Sequence, residues 1–317
     1  MQIDIQNLDS PLFIAWHITN RCNLECIHCL WKSSPTGAFP GELTKEEAIN
    51  FAKVLVDHSV PYVAISGGEP LLHPAFWEVA EIIRSHDVEL KIETNGQLIS
   101  KSVAKRLAEL DLRSIQISVD GYTPETYTKM RPGASFEKTI NAIKYLIEEG
   151  ANVEIVFVPA KFNIHEAEKL IDFAAELGVK VFETGKTMYL GRAVDYWDII
   201  GLTDEEYEEY KKMLERKAKQ YEGKMRVLYY PFDIIEEMQV MYRHPPASPL
   251  VLAHGKVKLI GSIPYVVADI RKHSFEEMWE RYKKGWKHPK VAEWVESVKS
   301  NPKLLAKAND LVELDLS

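Results

Sequence analysis

The chain has 317 residues, 46% of them hydrophobic, and a formal net charge of -8. That length and apolar content can build one large core, while the negative balance and the absence of long Lys/Arg runs leave no electrostatic footprint for nucleic acid or for an anionic membrane surface. No apolar run approaches the roughly 18 residues needed to cross a bilayer and the first residues lack the build of a signal peptide, so a cytoplasmic protein is expected.

Taken in chain order, short apolar or β-branched runs at residues 12–19, 62–66, 89–94, 114–119, 152–158 and 179–183 predict six strands. Helical periodicity fills the intervals at residues 44–58, 76–86, 101–110, 136–149 and 164–178. Thr44 with Glu47 forms a capping box at the start of the first helix, and Gly178 supplies the stop of the last. Strands alternating with helices mean right-handed βαβ crossovers and a parallel sheet, here an α/β fold curled into an incomplete (β/α)6 barrel. After Gly185 the rhythm changes. Residues 202–224 read as an amphipathic helix opened by Thr203 and Glu206, with Tyr207, Tyr210, Leu214 and Tyr221 on its core face. Residues 249–267 alternate about His254-Gly255 as a hairpin, and Ser274 caps a further helix. The expected division is a barrel over residues 1–190 and a small α+β module over residues 191–317.

In parallel α/β folds the active site forms at the carboxyl ends of the strands, and every unusual loop of this chain falls there. Strand one is followed by Cys22, Cys26 and Cys29, all the thiols in the chain; strand two by SGGEP (66–70); strand three by TNG (94–96); strand four by DGY (120–122). An odd number of thiols so close together suits a reducing compartment and a metal site rather than a disulfide framework. Structural zinc takes four ligands, so it would need a histidine such as His17 or His28. An iron-sulfur cube held by three thiolates would leave one iron with an open position. A simple redox thiol site is the third possibility.

The combination CNLECIHC and GGEP resembles the radical S-adenosylmethionine (radical SAM) superfamily, over about residues 10–190. The resemblance implies a 4Fe-4S cluster on Cys22, Cys26 and Cys29 whose open iron chelates S-adenosylmethionine. It further implies reductive cleavage to a 5′-deoxyadenosyl radical that abstracts hydrogen from a substrate. Gly67 and Gly68 are then expected to let backbone approach the methionine end, Glu69 to take its ammonium, and Pro70 to stiffen the turn. His28 is expected to bring backbone near the adenine, with Thr187 and Met188 as adenine neighbours. Asn95 and Ser118 are expected on the cofactor rim, Arg131 at the cofactor carboxylate, and Asp120 and Asn163 facing substrate.

Later segments, notably residues 191–206, look like the branch that carries a SPASM or twitch domain, yet no cysteine remains to ligate an auxiliary cluster. Without such a cluster to accept an electron, redox-neutral chemistry is favoured. A peptide or protein substrate is expected, in the manner of a maturase, with a low-potential electron donor such as ferredoxin or flavodoxin. A small metabolite or cofactor precursor is the alternative substrate, and a non-catalytic zinc or iron-sulfur binding protein the non-enzymatic reading.

Overall fold

A computed structural model describes residues 4–37, 40–230 and 233–316. The first six strands and their helices fall where the periodicity puts them: β1 (Phe13–Thr19), α1 (Lys45–Asp57), β2 (Tyr62–Gly67), α2 (Phe76–Arg84), β3 (Glu89–Thr94), α3 (Lys101–Glu109) and β4 (Ser114–Ser118). A short helix absent from the sequence reading, α4 (Pro124–Met130), precedes α5 (Phe136–Glu148), β5 (Val153–Phe157), α6 (Ala167–Leu177) and β6 (Val181–Thr184). Its seven residues are too few to show a helical period; Thr123, which caps Thr126 N–H, and Pro124 at the first position are its only signals.

The barrel does not stop at residue 190. Past α7 (Trp197–Ile200), helix α8 (Asp204–Gln220) packs on α6 and leads to β7 (Arg226–Tyr229), which adds to β6 as a seventh parallel strand. That strand lies beyond the expected boundary at residue 190. RVLY is a short strand of exposed and half-buried residues, which hides it from a hydrophobicity reading. Tyr207, Tyr210 and Leu214 are buried as expected; Tyr221 is half-buried and donates to Asp172.

Next come α9 (Ile234–Arg243), β8 (Leu250–Val251), β9 (Lys256–Lys258), β10 (Tyr265–Asp269), α10 (Phe275–Trp286), α11 (Pro289–Ser300) and β11 (Val312–Glu313). The hairpin about His254-Gly255 is present as β8 and β9, and Gly255 turns it at φ +80°. β8 pairs in parallel with β1, so the module extends the barrel's open edge and one sheet runs β11-β10-β9-β8-β1-β2-β3-β4-β5-β6-β7. Among the described residues no helix is long and apolar enough to cross a membrane.

Each barrel strand divides its side chains by period two. On β1, Ile14, Trp16 and Ile18 are fully buried toward the helices, with Trp16 edge-on to Phe51 of α1 at 5.0 Å. The opposite face lines the lumen. At its amino-terminal end Phe13 stacks on Tyr62 at 4.7 Å and the Arg113 guanidinium lies 4.9 Å from the Tyr62 ring. Higher up the lumen is charged: Lys91 Nζ meets Glu154 at 2.9 Å and Glu183 at 3.7 Å, and Gln116 Nε2 donates to Glu183.

Two devices stitch the module to the barrel's first loop. The Lys258 ammonium is fully buried, donates to the carbonyls of Gly261 (3.0 Å) and Ala308 (2.9 Å), and lies 5.1 Å from the face of Trp31. Asn309 Nδ2 donates to the carbonyl of Leu30 at 2.6 Å. Burial pushes the Lys258 pKa down to about 7.

Candidate functional site

The cysteine loop leaves β1 and is held from three sides. Cys22 and Cys26 are 8% exposed and Cys29 is half-buried. Burial pushes the Cys22 thiol up to about 12 and the Cys26 thiol up to about 11. Against that, donors converge on the sulfurs. Cys22 Sγ receives Leu24 N–H at 3.4 Å and Asn95 Nδ2 at 3.7 Å, and Cys26 Sγ receives Arg131 Nη1 at 3.5 Å. Such donors favour the thiolate, the form that binds metal.

The segment after β6 clamps the loop backbone. Arg192 Nη1 donates to the Cys26 carbonyl at 2.7 Å, its Nη2 to the Ser33 carbonyl at 2.8 Å, and its backbone N–H to the Cys29 carbonyl at 2.9 Å. No spacing rule links residue 192 to residue 26, so this clamp was invisible in the sequence.

The SGGEP loop packs against the same segment from the side of β2. Gly68 N–H donates to the Thr19 carbonyl (2.7 Å) and Glu69 N–H to the Arg21 carbonyl (2.8 Å). A Cβ at Gly67, where φ is +137°, would stand 2.2 Å from the Thr19 oxygen, and one at Gly68 would stand 2.2 Å from the Arg21 oxygen. The glycines are thus required by the chain's own backbone. Gly68→Ala should therefore push the loop away from Arg21 and destabilise the fold by about 1–3 kcal/mol, the usual cost of forced overpacking. Chemical denaturation measures it, and an unchanged midpoint would show that the loop yields freely.

Glu69 ties this loop to the next one. It is fully buried, and its carboxylate accepts from Thr94 Oγ1 (2.8 and 2.9 Å), Asn95 N–H (2.9 Å) and Leu71 N–H (3.3 Å). It is a strut between the β2 and β3 loops. Burial raises its carboxyl to about 7 despite those donors. Pro70 opens the short 3-10 turn Pro70–Leu72 that Glu69 caps. Asn95 continues the chain of contacts by donating to Asn23 Oδ1 (2.8 Å) as well as to Cys22.

On the other flank Asp120 and Asn163, expected to face substrate, and Arg131, expected at the cofactor carboxylate, form one buried network. Asp120 and Asn163 are fully buried and Arg131 is 6% exposed. Arg131 Nε donates to Asp120 Oδ2 at 2.6 Å, Val158 N–H to Asp120 Oδ1 at 2.8 Å, and Asn163 Nδ2 to the carbonyls of Asp120 (3.0 Å) and Val158 (2.9 Å). These residues lock the β4 and β5 loops and face inward, because a buried carboxylate is tolerated only when paired and hydrogen-bonded. Burial would lower the Arg131 pKa, but Asp120 and Cys26 beside it hold it above its ordinary value. The guanidinium bonds Asp120 and the Cys26 sulfur.

His28 joins that cluster. Its Nε2 lies 3.4 Å from both Asp120 Oδ2 and Arg131 Nη2, and burial keeps the ring neutral, with a pKa down to about 4. His17 packs edge-on to Trp31 at 4.7 Å, and its pKa is lowered to about 3 by burial and then by Lys258. Among the described residues no three His, Cys, Asp or Glu side chains gather as a site for a single ion.

Beside the network lies a cavity of about 410 Å³, walled by His28 and Trp31 of the cysteine loop, Thr187 and Met188 after β6, helix α9, and Ile260 to Ser262 of the module. Thr187 Oγ1 is tied to the Pro159 carbonyl. Ser118 ends β4 half-buried, and neither it nor Asn95 lines this cavity. Glu183, Tyr230, Glu237 and Ser262 do line it and were missed. They sit in ordinary strand, helix and hairpin segments and carry no motif.

The Radical SAM superfamily model matches residues 16–174. The mycofactocin maturase MftC of Mycobacterium tuberculosis is 36% identical over 193 residues, covering 61% of this chain and 49% of that protein. The chain thus spans about half the length of the mycofactocin maturases it matches. An AdoMet-dependent heme synthase of Methanosarcina barkeri is 28% identical over 295 residues, covering 86% of this chain and 83% of that protein. Among solved structures, Streptococcus suis SuiB bound to S-adenosylmethionine superposes with a TM-score of 0.71 at 19% identity, covering 86% of this chain and 66% of that one; SuiB has also been solved with the precursor peptide SuiA.

Proposed function

The chain belongs to the radical SAM superfamily, and from that premise we propose that it is an enzyme that abstracts hydrogen from a peptide or protein substrate. The observation that carries the reading is the donor set of the first loop: three thiols with N–H and guanidinium donors aimed at two of their sulfurs. These residues fit the family's 4Fe-4S cluster, with Cys22, Cys26 and Cys29 as ligands and S-adenosylmethionine beside it. Bound there, the two groups supply one-electron reductive chemistry that generates a hydrogen-abstracting radical.

The protein's own part is positioning. Arg192 and Lys258 hold the loop, Asn95 and Arg131 stabilise thiolate charge, and Gly67 and Gly68 let the SGGEP loop close on β1. In this reading His28, Thr187 and Met188 lie nearest the adenine and Ser118 and Asn95 on the rim. We place the protein in the cytoplasm, with a ferredoxin or flavodoxin as electron donor. A peptide substrate is supported by the maturase likeness of the barrel.

A second reading, action on a cofactor precursor of the tetrapyrrole kind, is favoured by a sequence likeness that runs along most of both chains. Against it stand the carboxylates of Glu183 and Glu237 in the cavity wall, which oppose a polyanionic substrate. Anaerobic reconstitution tests the core of the proposal: with dithionite and S-adenosylmethionine the holoprotein should release 5′-deoxyadenosine. Release of none from protein with an intact cluster would overturn it. Acceleration of that release by an iron tetrapyrrole and by no peptide would select the second reading.

A further inference from the structure

The three thiols are served unequally by their surroundings. Among the described residues, Cys22 Sγ receives one backbone and one side-chain donor, Cys26 Sγ receives the Arg131 guanidinium, and no hydrogen bond reaches Cys29 Sγ. Arg131 is also half of the buried pair with Asp120, so its loss disturbs the fold. Asn95 carries no charge, and its one hydrogen bond to a cysteine is the 3.7 Å contact with Cys22.

Every polar group of Asn95 is engaged, and together they fix which way its amide points. The residue is 5% exposed. Its backbone N–H donates to Glu69 Oε2 at 2.9 Å and its carbonyl accepts from Thr139 Oγ1 at 3.4 Å, which pins the loop after β3 from two sides. Its Oδ1 accepts from Gln97 N–H at 2.9 Å. The side-chain NH2 then faces the cysteine loop, where one hydrogen meets Asn23 Oδ1 at 2.8 Å and the other meets Cys22 Sγ. A flipped amide would set an oxygen against the sulfur and against Asn23 Oδ1 and turn a donor toward Gln97 N–H, so the network selects the donating orientation.

We propose, on the 4Fe-4S reading of this loop, that Asn95 is a positioning residue which, through Cys22, raises the reduction potential of the cluster, with Glu69 as the strut that holds it in place. One-electron reduction adds negative charge that the ligand sulfurs share, so a donor aimed at one of them stabilises the reduced form more than the oxidised form. The SGGEP loop thereby acts on the cluster at one remove, through the bond from Asn95 N–H to the Glu69 carboxylate.

Redox titration of the anaerobically reconstituted full chain, followed by electron paramagnetic resonance without S-adenosylmethionine, reads the potential. Iron content and the unfolding midpoint are measured on the same samples. Asn95→Leu removes the donor without adding charge, and its potential should fall by about 59 mV, the one-electron equivalent of a tenfold change in the reduction equilibrium. Asn95→Asp, which keeps an oxygen for Gln97 N–H, should shift it in the same direction. Gln97→Met breaks the side-chain bonds to Ser135 and Thr139 and so loosens the same loop while leaving the Cys22 contact; the equilibrium should move by less than about twofold. An unchanged potential in Asn95→Leu, a shift confined to Asn95→Asp, or an equal shift in Gln97→Met would each overturn the inference. Loss of iron from both Asn95 variants would overturn it too, since the residue would then be needed for assembly rather than for the potential. If the unaltered chain takes up no iron, the cluster reading itself falls and the inference with it.

Discussion

Cys26→Ala should leave a folded protein that holds no cluster. Anaerobic reconstitution of the unaltered chain should load about four irons, and the variant fewer than about one. Release of 5′-deoxyadenosine should fall by at least about a thousandfold, the scale on which losing one member of an obligate catalytic unit acts. The fold should survive, because the Cys26 carbonyl and its partner Arg192 belong to the backbone clamp, which alanine keeps. Far-ultraviolet circular dichroism and the unfolding midpoint check that point independently of activity. Full iron loading in Cys26→Ala would refute the ligand assignment outright, since the chain has no fourth cysteine to substitute.

Arg131→Met is expected to have the largest effect on stability. Arg131 and Asp120 form a 2.6 Å pair whose side chains are 8% and 0% exposed, so removing the guanidinium leaves a carboxylate with Val158 N–H, a neutral His28 and no cation. Breaking one side of such a buried pair costs about 3–5 kcal/mol. The exposed 2.7 Å pair of Lys45 with Glu78 offers the contrast, worth about 0–1 kcal/mol because water screens it. Urea denaturation of Arg131→Met, Lys45→Met and the double variant Asp120→Asn/Arg131→Met separates these terms. The double variant should recover part of the loss, since the orphaned charge is gone. If Arg131→Met unfolds at the same midpoint as Lys45→Met, the pair is no more than a surface contact.

The same pair shows where sequence reasoning stops. Arg131 and Asp120 each sit near a motif and were given separate partners, one a cofactor carboxylate and the other a substrate. Only the turn made by α4 brings them together and buries them. Glu69 is similar: GGEP identifies the loop, but its bonds to Thr94 and Asn95, 25 and 26 residues on, arise only in the fold. Glu237 and Ser262 have no local signal at all, because what matters is the cavity they share, assembled from elements far apart in the chain.

By itself the sequence determined what depends on neighbours within a few residues. Period-two and period-3.6 patterns set the alternation of strands and helices, the capping boxes at Thr44, Thr203 and Ser274 set the starts of three helices, and the spacing of Cys22, Cys26 and Cys29 limited what the first loop can hold. These are short-range preferences of backbone geometry and donor chemistry. The tertiary structure alone decided that β7 extends the barrel past residue 190, that the glycines of SGGEP yield to the backbone of Thr19 and Arg21, and that Arg192 and Lys258 clamp a loop more than 150 residues away. Those outcomes turn on burial and on which polar groups must find partners once water is excluded, and neither is set until the distant elements have packed.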